Sequence, residues 1–177
     1  MNVTVYSDAS LCQQTKTVGW AGWVKSDRGR YIYDGVLKAR TVDTGIAEAM
    51  AMVNSIHQAL RGGHIQQGDL LIINTDNDSV PTILEGATKR KVTLKRKISS
   101  GKSFRELRAH VREANEMIMQ VSTYYRQIIE KNDLEVRWYH VKGHRGVEDK
   151  RAAVNTSCDQ RAKARMRKAR GLRHTVS

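Results

Sequence analysis

Alternating apolar and polar residues at the start of the chain predict three short strands. Val3 and Val5 alternate with polar neighbours as far as Asp8, which predicts a first strand that ends in a carboxylate. Two more strands are predicted at 18–24 and 30–37, and Ser, Asp and Gly between them are typical of a tight turn. These two strands therefore form a predicted hairpin.

Farther along, the spacing of apolar residues changes to three and four, which predicts helices at about 44–60, 104–130 and 155–170. The short apolar runs at 70–73 and 134–138 predict a fourth strand, buried on both faces, and a fifth. With one further short helix before the longest one, the predicted order is β-β-β-α-β-α-α-β-α. This order is typical of an α/β layer with a mixed sheet.

The chain has 177 residues, of which 40% are hydrophobic, and no change of composition divides it. A length of this size is typical of one domain with its own core. We expect a single domain over 1–170 and a short tail over 171–177. The apolar residues of the long helix at about 104–130 form a stripe along one side, which we expect to pack against the sheet within a monomer. The alternative is a dimer formed through that helix.

The formal net charge is +13, which favours a phosphate polyanion as partner. No segment approaches the roughly 20 apolar residues needed to span a membrane, and the N-terminus lacks a signal pattern. The two cysteines, Cys12 and Cys158, fit free thiols in a reducing cytoplasm. We therefore expect a cytoplasmic protein, in the host cytoplasm if a virus encodes it, that binds nucleic acid and no membrane.

Carboxylates at particular places in these elements carry the candidate chemistry. Asp8 and Asp76 follow apolar strands, Glu48 lies in an Ala- and Met-rich helix, and Asp159 is expected to open the last helix. An acid in apolar company is costly unless it is paired or binds a metal, and several acids together repel one another. Oxygen ligands favour Mg²⁺, or Mn²⁺, over zinc, and two such ions support phosphodiester hydrolysis.

Five motifs of the chain stand in a fixed order. They are Tyr6-Ser7-Asp8-Ala9-Ser10, Ala47-Glu48-Ala49, Asn74-Thr75-Asp76-Asn77, Val141-Lys142-Gly143-His144-Arg145-Gly146 and Asn155-Thr156-Ser157-Cys158-Asp159. In order and spacing this set resembles the ribonuclease H family, most closely its type 1 branch, over about residues 3–166.

The resemblance implies a ribonuclease H-like fold, a five-stranded mixed sheet with strands 1–3 antiparallel and flanked by helices. It also implies Mg²⁺-dependent endonucleolytic cleavage of RNA paired with DNA, with two ions in the site. The implied metal ligands are Asp8, Glu48, Asp76 and Asp159. Glu48 would also contact the attacking water or a substrate hydroxyl, and His144 would assist proton transfer or product departure.

A basic stretch lies where that family often carries a protrusion, about residues 88–103, that grips the duplex. The candidate substrate contacts are Ser10, Gln13, Gln14, Asn77, Lys89, Arg90, Lys91, Lys95, Arg96, Lys97 and Lys142. Ordinarily such a basic run is a solvated surface, but the net charge favours phosphate contact.

The chain departs from the family pattern where the RNA 2′-hydroxyls would be read. Ala9 replaces a usual Gly, the turn beyond it lacks glycine, and the usual Asn residues before the Glu48 helix are absent. A DNA-directed nuclease acting on junctions or single strands therefore stays open, as does a non-catalytic nucleic-acid-binding module. Glu148 or Asp149 could replace Asp159 as a ligand, and Asp78 could replace Asp76.

Overall fold

The computed structural model describes residues 1–37, 43–87, 89–90, 101, 103–141 and 150–174. The strands are β1 (Asn2–Cys12), β2 (Thr17–Ser26), β3 (Gly29–Val36), β4 (Leu70–Thr75) and β5 (Glu135–His140). The helices among these residues are α1 (Thr44–Arg61), α2 (Ser79–Leu84), α3 (Phe104–Lys131) and α4 (Lys150–His174). Within the described ranges, the elements follow the predicted order.

The five strands form one sheet in the order β3-β2-β1-β4-β5. Strand β2 runs antiparallel to both β1 and β3, whereas β4 is parallel to both β1 and β5. This is the predicted mixed sheet. It places β1 and β4, the two strands associated with candidate carboxylates, side by side at its centre.

Strand β1 does not end at Asp8, as the alternation predicted, but continues to Cys12. The pairing between β1 and β4 stops at Tyr6 and Asn74. The rest of β1 remains hydrogen-bonded to β2, as far as the pair of Cys12 with Thr17. The β1–β2 hairpin thus extends past the end of β4, and Asp8 lies where β1 loses its neighbour on that side.

Helices cover both faces of the sheet. Val3 and Val5 are fully buried in the main core, which also contains residues of α1 and α3. Tyr6 and Ala21 belong instead to a smaller cluster with Cys158 and Ala162 of α4. Because alternate residues of a strand point to opposite faces, α4 lies across the sheet from α1 and α3.

The apolar stripe of α3 is used within the chain. A capping box of Ser103 and Glu106 begins the helix, as predicted, and Leu107, Val111 and Ile118 are buried along it. This burial confirms that the apolar stripe packs against the body of the protein. No helix in the described part of the chain is long and apolar enough to cross a membrane.

The last helix is longer than predicted. It begins at Lys150, so Asp159 lies well inside it instead of opening it, and it passes Gly171 to end at His174. A glycine within a helix costs only about 1 kcal/mol relative to alanine, and the flanking Ala, Arg and Lys residues favour helix. Residues 171–174 of the predicted tail are therefore helical.

Helix α4 lies directly against the backbone of β2, and Gly19 makes this approach possible. A Cβ atom at Gly19 would lie 2.1 Å from the carbonyl oxygen of Ala162 and 2.4 Å from the backbone nitrogen of Met166. We expect Gly19→Ala to lower the free energy of unfolding by roughly 1–3 kcal/mol, because backbone atoms must shift. Urea unfolding would measure this, with Gly171→Ala as a comparison, because a Cβ atom at Gly171 would meet no other atom within 4 Å. Equal stability of Gly19→Ala and wild type would contradict the close packing.

Candidate active site

Two carboxylates lie level with each other at the centre of the sheet. Tyr6 pairs with Asn74; Asp8 lies two residues farther along β1, and Asp76 lies two residues beyond Asn74, directly after the end of β4. Asp8 projects toward α4, because its cross-strand partner Ala21 packs against that helix. The extension of the hairpin past β4 thus forms one wall of a cleft at the end of β4.

Glu48 reaches this cleft from the first turns of α1. Its neighbours Ala47 and Ala49 are fully buried, while Glu48 itself is half-buried. The side chain of Asn77, directly after Asp76, hydrogen-bonds Glu48, and its Oδ1 also accepts hydrogen bonds from the backbone and hydroxyl of Ser79. Asn77 therefore connects the end of β4 to the acid on α1.

Asn155 of α4 holds Asp76 from the other side. Its Nδ2 donates a hydrogen bond of 2.8 Å to Oδ2 of Asp76, and the residue is only 8% exposed. Its Oδ1 is buried and has no hydrogen-bond partner among the described residues. A buried acceptor without a partner is costly, so this atom is suited to a bound water beside the carboxylates.

Asp159 lies one helical turn beyond Asn155 on the same side of α4. Its Oδ2 accepts a hydrogen bond of 2.6 Å from Lys163, four residues farther along the helix. The charge of Asp159 nevertheless acts on Asp8, as do those of Glu48 and Asp76. The four acids therefore belong to one electrostatic cluster.

Two of these acids have strongly raised pKa values. Burial, followed by the charges of Glu48, Asp76 and Asp159, raises the pKa of Asp8 to about 7, despite a hydrogen bond from the Ala9 amide. Burial and the charges of Asp76 and Asp43 raise the pKa of Glu48 to about 7, although the Asn77 hydrogen bond opposes this. A cation in the cleft would relieve both effects.

The donor set fits a hard divalent cation in its chemistry, because it consists of carboxylates with one free amide oxygen. Among the described residues, however, no three His, Cys, Asp or Glu side chains are arranged so that they could hold an ion. Asp159 is turned to Lys163 and Asp76 to Asn155. Binding by Asp159 would thus require it to exchange Lys163 for the ion, whereas the Asn155 hydrogen bond uses only Oδ2 of Asp76 and can be kept.

The structure distinguishes Asp76 from Asp78, which could have replaced it as a ligand. Asp78 has an 89% exposed side chain and pairs with Nδ1 of His140 at 2.7 Å. Its charge is absent from the interactions that raise the pKa of Asp8, whereas that of Asp76 is present. The geometry therefore favours Asp76. Glu148 and Asp149, which could have replaced Asp159, lie outside the described residues.

Comparison with known proteins identifies the group to which this architecture belongs. The family model "RNase H" matches residues 1–167. The chain belongs to the RNase H family. A search of curated proteins gives no significant match.

Solved RNase H structures share the fold. The N-terminal RNase H domain of rv2228c from Mycobacterium tuberculosis has a TM-score of 0.60 and 13% identity, with 96% of each chain covered. RNase H1 from Halobacterium salinarum has a TM-score of 0.60 and 15% identity, with 95% of this chain and 99% of that chain covered. LC11-RNase H1 in complex with an RNA/DNA hybrid has a TM-score of 0.50 and 10% identity, with 94% and 98% covered.

The predicted substrate contacts of this RNase H chain fall into three groups. Ser10 lies on β1 two residues past Asp8, and Gln13 and Gln14 are exposed in the β1–β2 turn. Lys89 is exposed, but the guanidinium of Arg90 pairs with Asp43 at 3.0 Å. Phosphate contact by Arg90 would therefore require this ion pair to be exchanged. Outside the described residues lie Lys91, Lys95, Arg96, Lys97, Lys142 and His144.

Sequence reasoning used Asn155 only as context for Asp159 and missed its contact with Asp76. The available signal was the spacing of four residues between Asn155 and Asp159, which places both on one side of a helix. A buried amide next to a proposed metal ligand is typical of groups that orient the ligand. Asp43 was also missed. It caps α1 by accepting a hydrogen bond from the Ile46 amide.

Both cysteines are free, as predicted, and the structure places both in buried positions. Cys158 packs against the site, and burial, together with the charge of Asp8, raises the pKa of its thiol to about 12. A thiol with such a pKa is neutral at physiological pH, so it is neither a nucleophile nor a strong metal ligand. Cys158 is therefore a packing residue of the site.

Proposed function

We propose that this chain is a divalent-metal-dependent endonuclease that hydrolyses the RNA strand of RNA–DNA hybrids. The observation that carries the proposal is the matching position of Asp8 and Asp76, at the point where β1 continues past the end of β4 and pairs only with β2. Family membership supports a nuclease, and LC11-RNase H1, a protein of the same fold, has been solved with a hybrid bound.

Asp8, Glu48, Asp76 and Asp159 would hold two Mg²⁺ ions, with Mn²⁺ as the alternative. When bound, such ions lower the pKa of a water and stabilise charge on the attacking and leaving oxygens. The raised pKa values of Asp8 and Glu48 indicate that the cluster is electrostatically unsatisfied without positive charge.

The remaining residues position these acids. Asn155 orients Asp76, and Asn77 orients Glu48 toward the attacking water or a substrate hydroxyl. Lys163 holds Asp159 until a cation competes for it. His144 would accept or deliver a proton near the departing product, as its place in the family pattern implies.

Substrate would be held by the hairpin turn and by the basic stretch. Exposed Gln13 and Gln14 offer donors and acceptors for 2′-hydroxyls, and Ser10 and Asn77 lie nearer the acids. Lys89, Lys91, Lys95, Arg96, Lys97 and Lys142 would contact phosphates, and Arg90 would do so on release from Asp43. We also propose that the protein acts in a reducing cytoplasm, where its two thiols stay free.

A cleavage assay on four labelled substrates tests this proposal. RNA–DNA hybrid, duplex RNA, duplex DNA and a branched DNA junction are compared with and without Mg²⁺. We expect metal-dependent cleavage within the RNA strand of the hybrid, with little cleavage of the other three substrates. DNA cut at least as fast as hybrid would establish the DNA-directed alternative, and binding without any cleavage would establish the non-catalytic one.

A further inference from the structure

The last helix carries a concentration of positive charge of which the proposed site uses only Lys163. From Gln160 to His174 there is no acidic residue. The cations in this part of α4 are Arg161, Lys163, Arg165, Arg167, Lys168, Arg170 and Arg173. Charge of one sign at this density destabilises a helix by self-repulsion, which favours a polyanion as the compensating partner.

Two of these cations share one carboxylate of the sheet. Arg165 pairs with Asp34 of β3 at 2.5 Å, and Arg161 pairs with the same carboxylate at 3.4 Å. Both project from the flank of α4 that faces β3. Their role is to attach the helix to the sheet, so they are not available to a ligand.

The opposite flank is different. Lys163, Arg167 and Arg170 follow Asp159 by four, eight and eleven residues, which places all three on the side of the helix that carries Asp159. All three are exposed. Lys163 pairs with Asp159, whereas no described carboxylate pairs with Arg167 or Arg170. We call these three residues the α4 strip.

The α4 strip runs from the candidate active site to the hairpin turn. At one end, Lys163 contacts Asp159. At the other end, Arg170 hydrogen-bonds the Cys12 thiol at the end of β1, next to the turn that carries Gln13. Lys16 adds a further cation there, held by Oε1 of Gln13 at 2.9 Å. The strip and the turn therefore form one continuous positive surface.

The length of this surface matches several phosphates. Arg170 lies seven helical residues beyond Lys163, a distance of roughly 10 Å. Backbone phosphates of one strand recur about every 3.4 Å along a duplex, so roughly three would lie along the strip. The α4 strip lies on the face of the sheet opposite α1. Asp43, which caps α1, pairs with Arg90 at the start of the basic stretch.

We propose that the α4 strip is a second phosphate-binding surface, which holds the backbone of the bound duplex on the side of the site away from the basic stretch. The strip proposal rests on the proposed function in one respect, because it takes the bound polyanion to be the nucleic-acid substrate. Contacts on both sides of the cleft would keep a duplex across Asp8 and Asp76 while one strand is cut. Such contacts position the backbone and do not read its sequence.

Binding of an uncleaved hybrid to the full chain tests the strip without requiring catalysis. Dissociation constants of a labelled hybrid of about 20 base pairs are measured in EDTA over a series of salt concentrations. In the strip variant, Lys163→Gln, Arg167→Gln and Arg170→Gln are combined. Each lost phosphate contact lowers the log–log salt slope by roughly 0.7–0.9, so we expect the slope to fall by about 2.

The matched control removes the same charge from exposed cations at the far end of the sheet, in Lys25→Gln, Arg61→Gln and Lys131→Gln combined. We expect its slope to change by less than about 0.5. A further variant, Arg167→Lys with Arg170→Lys, should keep the wild-type slope, since it keeps the charge. Far-ultraviolet circular dichroism confirms that α4 is intact in each variant.

Equal slope changes in the strip variant and the control would overturn the proposal, because they would show a general effect of net charge. Loss of slope in the charge-conserving variant would overturn it too. If the four-substrate assay shows no cleavage but the strip variant alone loses slope, the strip stands and the proposed catalytic function falls. If the hybrid is cleaved but the salt slope falls equally in the strip variant and the control, the proposed catalytic function stands and the strip proposal falls.

Discussion

Asp8→Asn and Asp76→Asn should each reduce kcat for hybrid cleavage by roughly 10³-fold or more. Each change removes one charged oxygen from the cleft while keeping the shape of the side chain. A bound metal contributes several kcal/mol of transition-state stabilisation, and each 1.4 kcal/mol corresponds to about tenfold in rate. Single-turnover cleavage in Mg²⁺, at saturating enzyme, measures the effect on the chemical step.

Asp78→Asn is the matched control, because it makes the same chemical change two residues away. Asp78 is exposed and pairs with His140 instead of facing Asp8. We expect Asp78→Asn to keep its activity within a few-fold. Asp8→Asn should bind hybrid in EDTA at least as well as wild type, since it removes a negative charge near phosphates. Full activity in both Asp8→Asn and Asp76→Asn would rule out this cleft as the active site.

The metal-free protein should lose stability as the pH rises from 5 to 8. The pKa values of Asp8 and Glu48 are each raised to about 7 in the folded chain, so the folded state binds more protons than the unfolded state over this range. Their contribution to the free energy of unfolding is fully present below the pKa values of the unfolded chain, which are near 4. It is lost as the pH rises past about 7. A single acid of this kind accounts for a loss on the order of 3 kcal/mol in the free energy of unfolding.

Urea unfolding in EDTA at several pH values measures this loss, and Asp8→Asn provides its control. The variant cannot ionise at that position, so its stability should depend less on pH and should exceed that of wild type at pH 8. Millimolar Mg²⁺ should raise the stability of wild type at pH 8 and leave Asp8→Asn nearly unchanged. A wild-type protein whose stability rose from pH 5 to 8 in EDTA would contradict the buried acid cluster.

The order of elements could be predicted from the sequence because each element has a strong local pattern. The stripe of α3 keeps its spacing over the whole helix, and the capping box of Ser103 and Glu106 defines its start. The run from Leu70 to Ile73, which begins β4, is apolar on both faces, as its place inside the sheet requires.

Element ends were less predictable where tertiary contacts decide them. The alternation of apolar and polar residues that predicts β1 stops at Asp8, but hydrogen bonding to β2 extends the strand to Cys12. In α4, helix-favouring residues outweigh Gly171, and the helix begins earlier than its apolar pattern indicated. Both errors concerned candidate acids. Asp8 and Asp159 each lie inside an element where an end was expected.

The sequence by itself determined the chemical types in the site, the elements that carry them and the positive charge that favours a polyanion, because periodicity and composition are local properties. Only the tertiary structure decided which groups meet. The register of β1 on β4 sets Asp8 level with Asp76, α4 crosses the far face at Gly19, and Asn155 reaches Asp76. These contacts join residues far apart in the chain. They depend on how sheet and helices pack, which no local pattern encodes.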